Sequence, residues 1–167
     1  MSKSRDLDVA ILTLQEPKKE IYSRLTKQCE NMDIPIIKTE KEFLELYKTT
    51  NVVMDAIFGG SSSECIVPHR QANGILPLSS LGFSFHPPVR PPYNRILDHI
   101  AKTTVPVLSI DIPSGWDVND GKQPLVDTEG KPVETFEPDA LLSLTAPKLG
   151  VKQIRGPHYL GGRFIPQ

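Results

Sequence analysis

Residues 105–115 have the sequence VPVLSIDIPSG, and this stretch decides the fold. It is apolar for most of its length, and it ends at a proline, a serine and a glycine, which are common turn residues. A short apolar run that stops at turn residues is typical of a β-strand buried on both faces. We therefore expect a strand here, with Asp111 near its carboxyl end.

Five further segments have the same pattern and predict strands, at residues 8–14, 34–37, 51–59, 140–144 and 159–165. Segments with helical periodicity separate several of these strands. Because strands that are apolar throughout and alternate with helices are typical of parallel sheets covered on both faces, we predict an α/β fold. The expected architecture is a Rossmann-like three-layer sandwich with a mostly parallel sheet.

Three helices are predicted between the strands. The first has apolar residues at spacings of 4, 4 and 3, which predict one buried face. They are Ile21, Leu25, Cys29 and Met32. A capping-box sequence over residues 39–42 starts the second helix. The third follows Tyr93, and its inward residues are Ile96, Leu97 and Ile100.

The composition limits the class of protein. A chain of 167 residues with 38% hydrophobic content suits a single domain over residues 1–167. The net charge is −1, so no bulk charge attracts nucleic acid or an anionic membrane, and no apolar run approaches the roughly 20 residues of a membrane span. Two cysteines argue against a disulfide framework. We expect a cytoplasmic protein, or a mitochondrial one if a targeting segment precedes this sequence.

Asp55 and Asp111 each interrupt an apolar strand near its end. Because ligands in such sheets bind beyond the carboxyl ends of the strands, we expect residues 55–59, 111–115 and 145–148 to meet at one edge. One interpretation is that the two aspartates only satisfy loop amides as caps and turn-formers. The other is that they are functional, since acid–base work needs a carboxylate held away from bulk water.

Ser114 favours a cation site over nucleophilic catalysis. No recognisable nucleophile motif surrounds it, and the four histidines are scattered without metal-ligand spacing. A hydroxyl near two carboxylates suits a hard cation, which prefers oxygen ligands. Trp116 follows closely and is interpreted as a packed wall in preference to a stacking platform. No Gly-x-Gly-x-x-Gly or Walker loop occurs, which argues against a generic Rossmann dehydrogenase.

Taken together, these segments resemble the NAD(P)H-hydrate epimerase family. The resemblance rests on VMDAIFG (53–59), GFSF (82–85), VRPP (89–92), VPVLSIDIPSGWDV (105–118), EPDALLSLTAPK (137–148) and HYLGGRF (158–164), with KQCENMDIP (27–35) in support. The order and spacing of DIPSG and LTAPK make it specific. It covers most of the chain apart from an atypical insertion at residues 60–81. Our hypothesis is that this stretch is retained non-coding sequence, and the alternative is a lineage-specific insertion.

The resemblance implies the function and the site. The family interconverts the R and S forms of hydrated NADH and NADPH, so that a partner dehydratase can use the S form. It implies that Asp111 is catalytic, that Asp55 and Ser114 bind one potassium ion per subunit, and that a loop with Asp111 binds the substrate. The loop residues are Gly82, Phe83, Ser84, Phe85, His86, Pro87 and Pro88. The resemblance also implies a possible homodimer.

Two departures from the family bear on activity. The family has a Gly-Asn-Asn-Gly-Gly-Asp-Gly loop ahead of the segment that begins this sequence, and the loop supplies backbone amides to the cofactor phosphates and a further potassium ligand. We therefore expect a chain truncated at its N-terminus. Pro87-Pro88 also stands where the family has an acidic residue. The alternative function is a catalytically inactive domain of the same fold that serves as a dimerisation or binding module.

Overall fold

The computed structural model describes residues 9–14, 20–56, 74–78 and 87–161, with backbone alone at 74–78. Helices and strands alternate within this part of the chain. The helices are α1 (Glu20–Asn31), α2 (Glu40–Tyr47), α3 (Tyr93–Ala101) and a 3₁₀-helix (Leu149–Gln153). The strands are β1 (Ile11–Leu12), β2 (Ile36–Ile37), β3 (Thr50–Asp55), β4 (Gly74–Leu78), β5 (Val107–Ile110), β6 (Leu125–Val126), β7 (Pro132–Val133), β8 (Ala140–Leu144) and β9 (His158–Gly161).

Seven of these strands form one sheet in the order β2-β1-β4-β3-β5-β8-β9, and all neighbours run parallel. The predicted α/β fold with a mostly parallel sheet is confirmed. Strands β3, β5 and β8 lie side by side, with Asp55 opposite Ser109 and Ile110 opposite Leu142. Their carboxyl ends therefore meet at one edge of the sheet. None of the described helices is long and apolar enough to cross a membrane.

The main core lies between the sheet and two of the helices. The inward residues predicted for α3 are all buried, together with Phe43 of α2 and Val53 of β3. The capping box of α2 forms as predicted: the Thr39 hydroxyl accepts from the Glu42 amide at 3.2 Å, and the Glu42 carboxylate accepts from the Thr39 amide at 3.1 Å. Local capping and burial thus agree with the sequence pattern in α2 and α3.

The buried face predicted for α1 is wrong. Ile21 and Met32 are 62% and 70% exposed, and Leu25 is also exposed, so Cys29 is the one member that is buried. The helix is tied to the chain beyond it near its end, where the Ile34 amide donates to the Cys29 carbonyl at 3.0 Å. Periodicity shows that a helix is amphipathic, but it does not show that the described part of the chain covers the apolar face.

Strand β4 lies within the stretch that was predicted as an insertion without periodicity. Its backbone pairs with β3 at five positions and with β1 through Leu12 and Leu78, so these five residues form a central strand of the sheet. The expectation of a wholly irregular segment is therefore wrong at residues 74–78. A strand paired on both sides can consist of a few apolar residues, and the prolines in this part of the sequence made its pattern hard to recognise. The rest of residues 60–81 lies outside the described residues.

A small hairpin of β6 and β7 was not predicted either. Its buried side chains, Leu125 and Val133, join the main core beside α3. The two strands have two residues each, too short for an alternating pattern to be recognised in the sequence. The hairpin matters for the site because Leu125 packs close to the turn that follows β5.

Candidate active site

The three segments predicted to meet at one edge do so where the structure describes them. Asp55, the last residue of β3, contacts Ser114 in the turn after β5. Asp111, the residue after β5, contacts Lys148 beyond the end of β8. The remaining part of the first segment, residues 57–59, lies outside the described residues. Two pairs of polar groups therefore mark the carboxyl edge of the sheet.

The Asp55 carboxylate is completely buried. Its Oδ2 accepts hydrogen bonds from the Ser109 hydroxyl and the Ser114 amide, each at 2.8 Å, and its Oδ1 accepts one from the Ser114 hydroxyl. Burial raises the pKa of Asp55 to about 6, although the hydrogen bonds from Ser114 and Ser109 act in the opposite direction. This carboxylate is thus held rigidly and lacks a compensating charge among its hydrogen-bond partners.

The turn that carries Ser114 depends on a glycine. Gly115 has a φ of +83°, and an added Cβ would lie 2.6 Å from Cδ1 of buried Leu125. The next residue, Trp116, is 3% exposed, and its indole N–H donates to the Phe136 carbonyl at 3.0 Å. The indole is a packed wall, as the sequence favoured. The turn is therefore held by packing on one side and by Asp55 on the other.

Replacing Gly115 with alanine should destabilise the protein more than the same change at Gly130. Both glycines have positive φ, +83° and +77°, so each variant incurs roughly 1–2 kcal/mol of left-handed backbone strain. Nothing lies within 4 Å of an added Cβ at Gly130, whereas Leu125 must shift at Gly115. Urea unfolding of the two variants measures the difference. Equal losses would show that the turn has room to accommodate the methyl group.

Asp111 lies next to Asp55 on the sheet edge but has different partners. Its backbone has a φ of +70°, an uncommon conformation for an aspartate, and its amide donates to the Leu142 carbonyl at 2.8 Å. Its Oδ1 accepts from the Leu144 amide at 3.2 Å and from the Lys148 ammonium at 2.5 Å. Within the described residues, its Oδ2 accepts no hydrogen bond. One carboxylate oxygen is thus occupied, and the other has no hydrogen-bond partner in the described residues.

Both interpretations of the aspartates apply in part. Each accepts a backbone amide, as a turn-former would, yet Asp55 also binds two hydroxyl groups and Asp111 also binds an ammonium ion. No hydrogen bond joins the two carboxylates. The sequence analysis placed Lys148 at this edge, within residues 145–148, but did not assign it as a site residue. Its signal was its place four residues past β8, the strand next to the one that precedes Asp111.

The substrate-loop prediction is covered only at its end. Pro87 and Pro88 are exposed and precede Val89, which is buried and bridges to Asp127. The other predicted loop residues lie outside the described residues, and their role stays a prediction; they are Gly82, Phe83, Ser84, Phe85 and His86. A groove lined mainly by residues of β2 and α2, among them Ile37 and Leu46, lies on the opposite side of β1 from the two aspartates.

Comparison with known proteins identifies the family. Residues 2–150 match the family model described as YjeF-related protein N-terminus. The chain belongs to this family. The match includes both aspartates, Ser114 and Lys148, so the polar groups at the sheet edge all lie within the YjeF-related N-terminal domain.

Two relatives of this YjeF-related domain have the same name. A protein of Cryptococcus neoformans named NAD(P)H-hydrate epimerase is 44% identical over 155 residues, which are 89% of this chain and 53% of the relative. A Schizosaccharomyces pombe protein of the same name is 39% identical over 148 residues, covering 87% of this chain and 50% of the relative. The chain thus spans about half the length of these relatives.

A solved structure has the same fold. The crystal structure of yeast ynu0 superposes with a TM-score of 0.68 at 29% sequence identity, covering 95% of this chain and 56% of the yeast chain. Together with the family match and the named relatives, this likeness confirms the resemblance seen in the sequence.

Proposed function

We propose that this YjeF-related domain interconverts the R and S forms of NADH and NADPH hydrated at C6 of the nicotinamide ring. The observation that carries the proposal is the Asp111 carboxylate at the carboxyl edge of the sheet, with one oxygen held by Leu144 and Lys148 and the other without a partner in the described residues. Relatives named NAD(P)H-hydrate epimerase, 44% and 39% identical, support it.

The chemistry needs one group that moves a proton. C6 of the hydrate carries a hydroxyl group and is bonded to the ring nitrogen, so its configuration is lost when the hydroxide leaves or when the C6–N bond opens to an aldehyde. In the ring-opening route, a base takes the hydroxyl proton, and the electrons of the C6–N bond move to the nitrogen. Closure on the other face returns the proton. A carboxylate beside the hydroxyl is sufficient for both directions.

Asp55 and Ser114 suit a potassium ion. Both offer oxygen ligands, which hard cations prefer, and the hydrogen-bond partners of the buried Asp55 carboxylate are uncharged within the described residues. Burying an unpaired carboxylate is costly, and a cation would offset that cost. A bound potassium ion would supply positive charge at the turn between Asp111 and Gly115. We therefore propose that these two residues hold potassium and thereby position Asp111.

The pH dependence of stability should report on Asp55. Its pKa of about 6 in the folded protein lies above the ordinary 3.8, so the folded state binds this proton more tightly. In potassium-free buffer, the stabilisation that proton binding at Asp55 contributes is fully present below pH 3.8. It is lost as the pH rises through 6, and the total loss is about 3 kcal/mol. Potassium should restore stability at neutral pH and have little effect near pH 4.

Urea unfolding at both pH values, in potassium chloride or choline chloride of equal ionic strength, measures this effect. Asp55→Asn is the matched variant, because it removes the titrating group and should flatten both the pH dependence and the potassium dependence. A potassium effect of the same size in Asp55→Asn would contradict the assignment of Asp55 as a ligand.

The epimerase activity itself is tested by incubating the protein with purified R-hydrate of NADPH and following the S form by chromatography. We expect conversion above the spontaneous rate. Since a dehydratase consumes the S form, the proposed reaction would supply that partner with substrate. No conversion above the spontaneous rate would favour the alternative, an inactive domain of the same fold that acts as a binding module.

A further inference from the structure

We infer that Lys148 is a positioning residue of the proposed epimerase, whose ammonium group holds Oδ1 of Asp111 and leaves Oδ2 to exchange the proton. The inference rests on the proposed function and deepens it by assigning a residue that acts through Asp111. Its basis is the 2.5 Å contact between the Lys148 Nζ and the Asp111 Oδ1.

This ion pair differs from the others in its solvent exposure. The side chains of Lys148 and Asp111 are 20% and 9% exposed. In the other ion pairs of the described residues, at least one partner is more than 60% exposed. Exposed pairs contribute little because water screens them, whereas removing one partner of a shielded pair leaves an uncompensated charge. The Lys148–Asp111 pair is therefore the one in which loss of the lysine should have a large effect.

The backbone on both sides of Lys148 is fixed. At the end of β8, the Thr145 amide donates to the Gly161 carbonyl at 2.8 Å, and Thr145 has a φ of +64° that turns the chain. After Lys148, the Gly150 amide donates to the Val118 carbonyl at 2.7 Å, in the loop that follows Trp116. The segment with Lys148 is thus anchored to β9 on one side and to the loop beyond the Ser114 turn on the other.

The arrangement separates the tasks of the two carboxylate oxygens. Oδ1 accepts hydrogen bonds from the Leu144 amide and the Lys148 ammonium. Oδ2 takes the proton of the C6 hydroxyl as the C6–N bond breaks, and the bond electrons move to the ring nitrogen. When the nitrogen attacks the other face of the aldehyde, Oδ2 returns the proton to the oxygen. The nearby ammonium stabilises the carboxylate each time it is regenerated.

The test compares Lys148→Met, which removes the charge, with Lys148→Arg, which keeps it. We expect Lys148→Met to lower kcat by about tenfold to a hundredfold with KM unchanged within about twofold, and Lys148→Arg to recover most of the loss. In Asp111→Asn the lysine has no carboxylate to hold. The double variant Asp111→Asn/Lys148→Met should therefore be no slower than Asp111→Asn alone.

Lys152→Met, at an exposed lysine of the 3₁₀-helix, is the matched control and should retain wild-type kcat. Thermal unfolding of every variant separates a folding defect from a kinetic one, and Lys148→Gln replaces the methionine variant if that one is poorly folded. Wild-type kcat in Lys148→Met, an effect on KM alone, or additive losses in the double variant would overturn the inference. Inactive wild-type protein would overturn the proposed function and the inference together. Active wild-type protein with one of these variant results would overturn the inference alone, so the two failures are distinguishable.

Discussion

Asp111→Asn should lower kcat for conversion of the R-hydrate by about 10²–10⁴-fold while the fold is retained. Asparagine keeps an Oδ1 that can accept from the Leu144 amide and from Lys148, and it tolerates the φ of +70° better than most residues. What it removes is the carboxylate that takes up the proton. Initial rates from chromatography of the two epimers give the loss, and circular dichroism with thermal unfolding verifies the fold.

Asp120→Asn is the control for this prediction. Asp120 is exposed in the same loop region, and its hydrogen bonds in the described residues are made by its backbone amide, which donates, and its backbone carbonyl, which accepts, so the variant should retain wild-type turnover. Unchanged turnover in Asp111→Asn would remove Asp111 from the mechanism. An equal loss in both variants would point to a general effect of charge on substrate binding.

Trp116→Ala should lower the free energy of unfolding by about 3–5 kcal/mol. The side chain is 3% exposed and packs in a cluster with Ile112, Leu141 and Val151, so its removal leaves a cavity beside the turn that carries Ser114. It also leaves the Phe136 carbonyl without the indole N–H that donates to it at 3.0 Å. Urea denaturation followed by circular dichroism measures the change.

Trp116→Phe separates packing from hydrogen bonding in this cluster. Phenylalanine keeps much of the ring volume but has no N–H, so a loss of about 1–3 kcal/mol is expected from the unpaired Phe136 carbonyl together with the reduced packing. A loss below about 1 kcal/mol in Trp116→Ala would contradict the packed wall that the structure shows.

The site was predictable where burial constrains the sequence locally. A strand with both faces covered must be apolar along its length, so Asp55 and Asp111 stand out against VVMDA and LSIDI. Because parallel strands bring their carboxyl ends to one edge, these two residues could be assigned to the same region before the structure was known. Their assignment to catalysis and to potassium comes from the family resemblance and remains a proposal.

The errors arose where the answer depends on a distant part of the chain. The stripe of Ile21, Leu25 and Met32 is amphipathic in any surrounding, yet in the described structure it is exposed. Strand β4 becomes central only because β1 and β3 lie on either side of it. A local sequence pattern cannot predict the exposure of this stripe or the position of β4, since both depend on which elements lie next to each other.

The sequence by itself determined the α/β class, the buried strands with Asp55 and Asp111 near their carboxyl ends, the capping box of α2 and the family to which the chain belongs. The tertiary structure alone decided the strand order and the contact of Lys148 with Asp111, two residues that are 37 positions apart. The physical reason is one of range. Apolar periodicity and capping arise from neighbours within a few residues, whereas sheet order and ion pairs depend on crossovers that bring remote segments together.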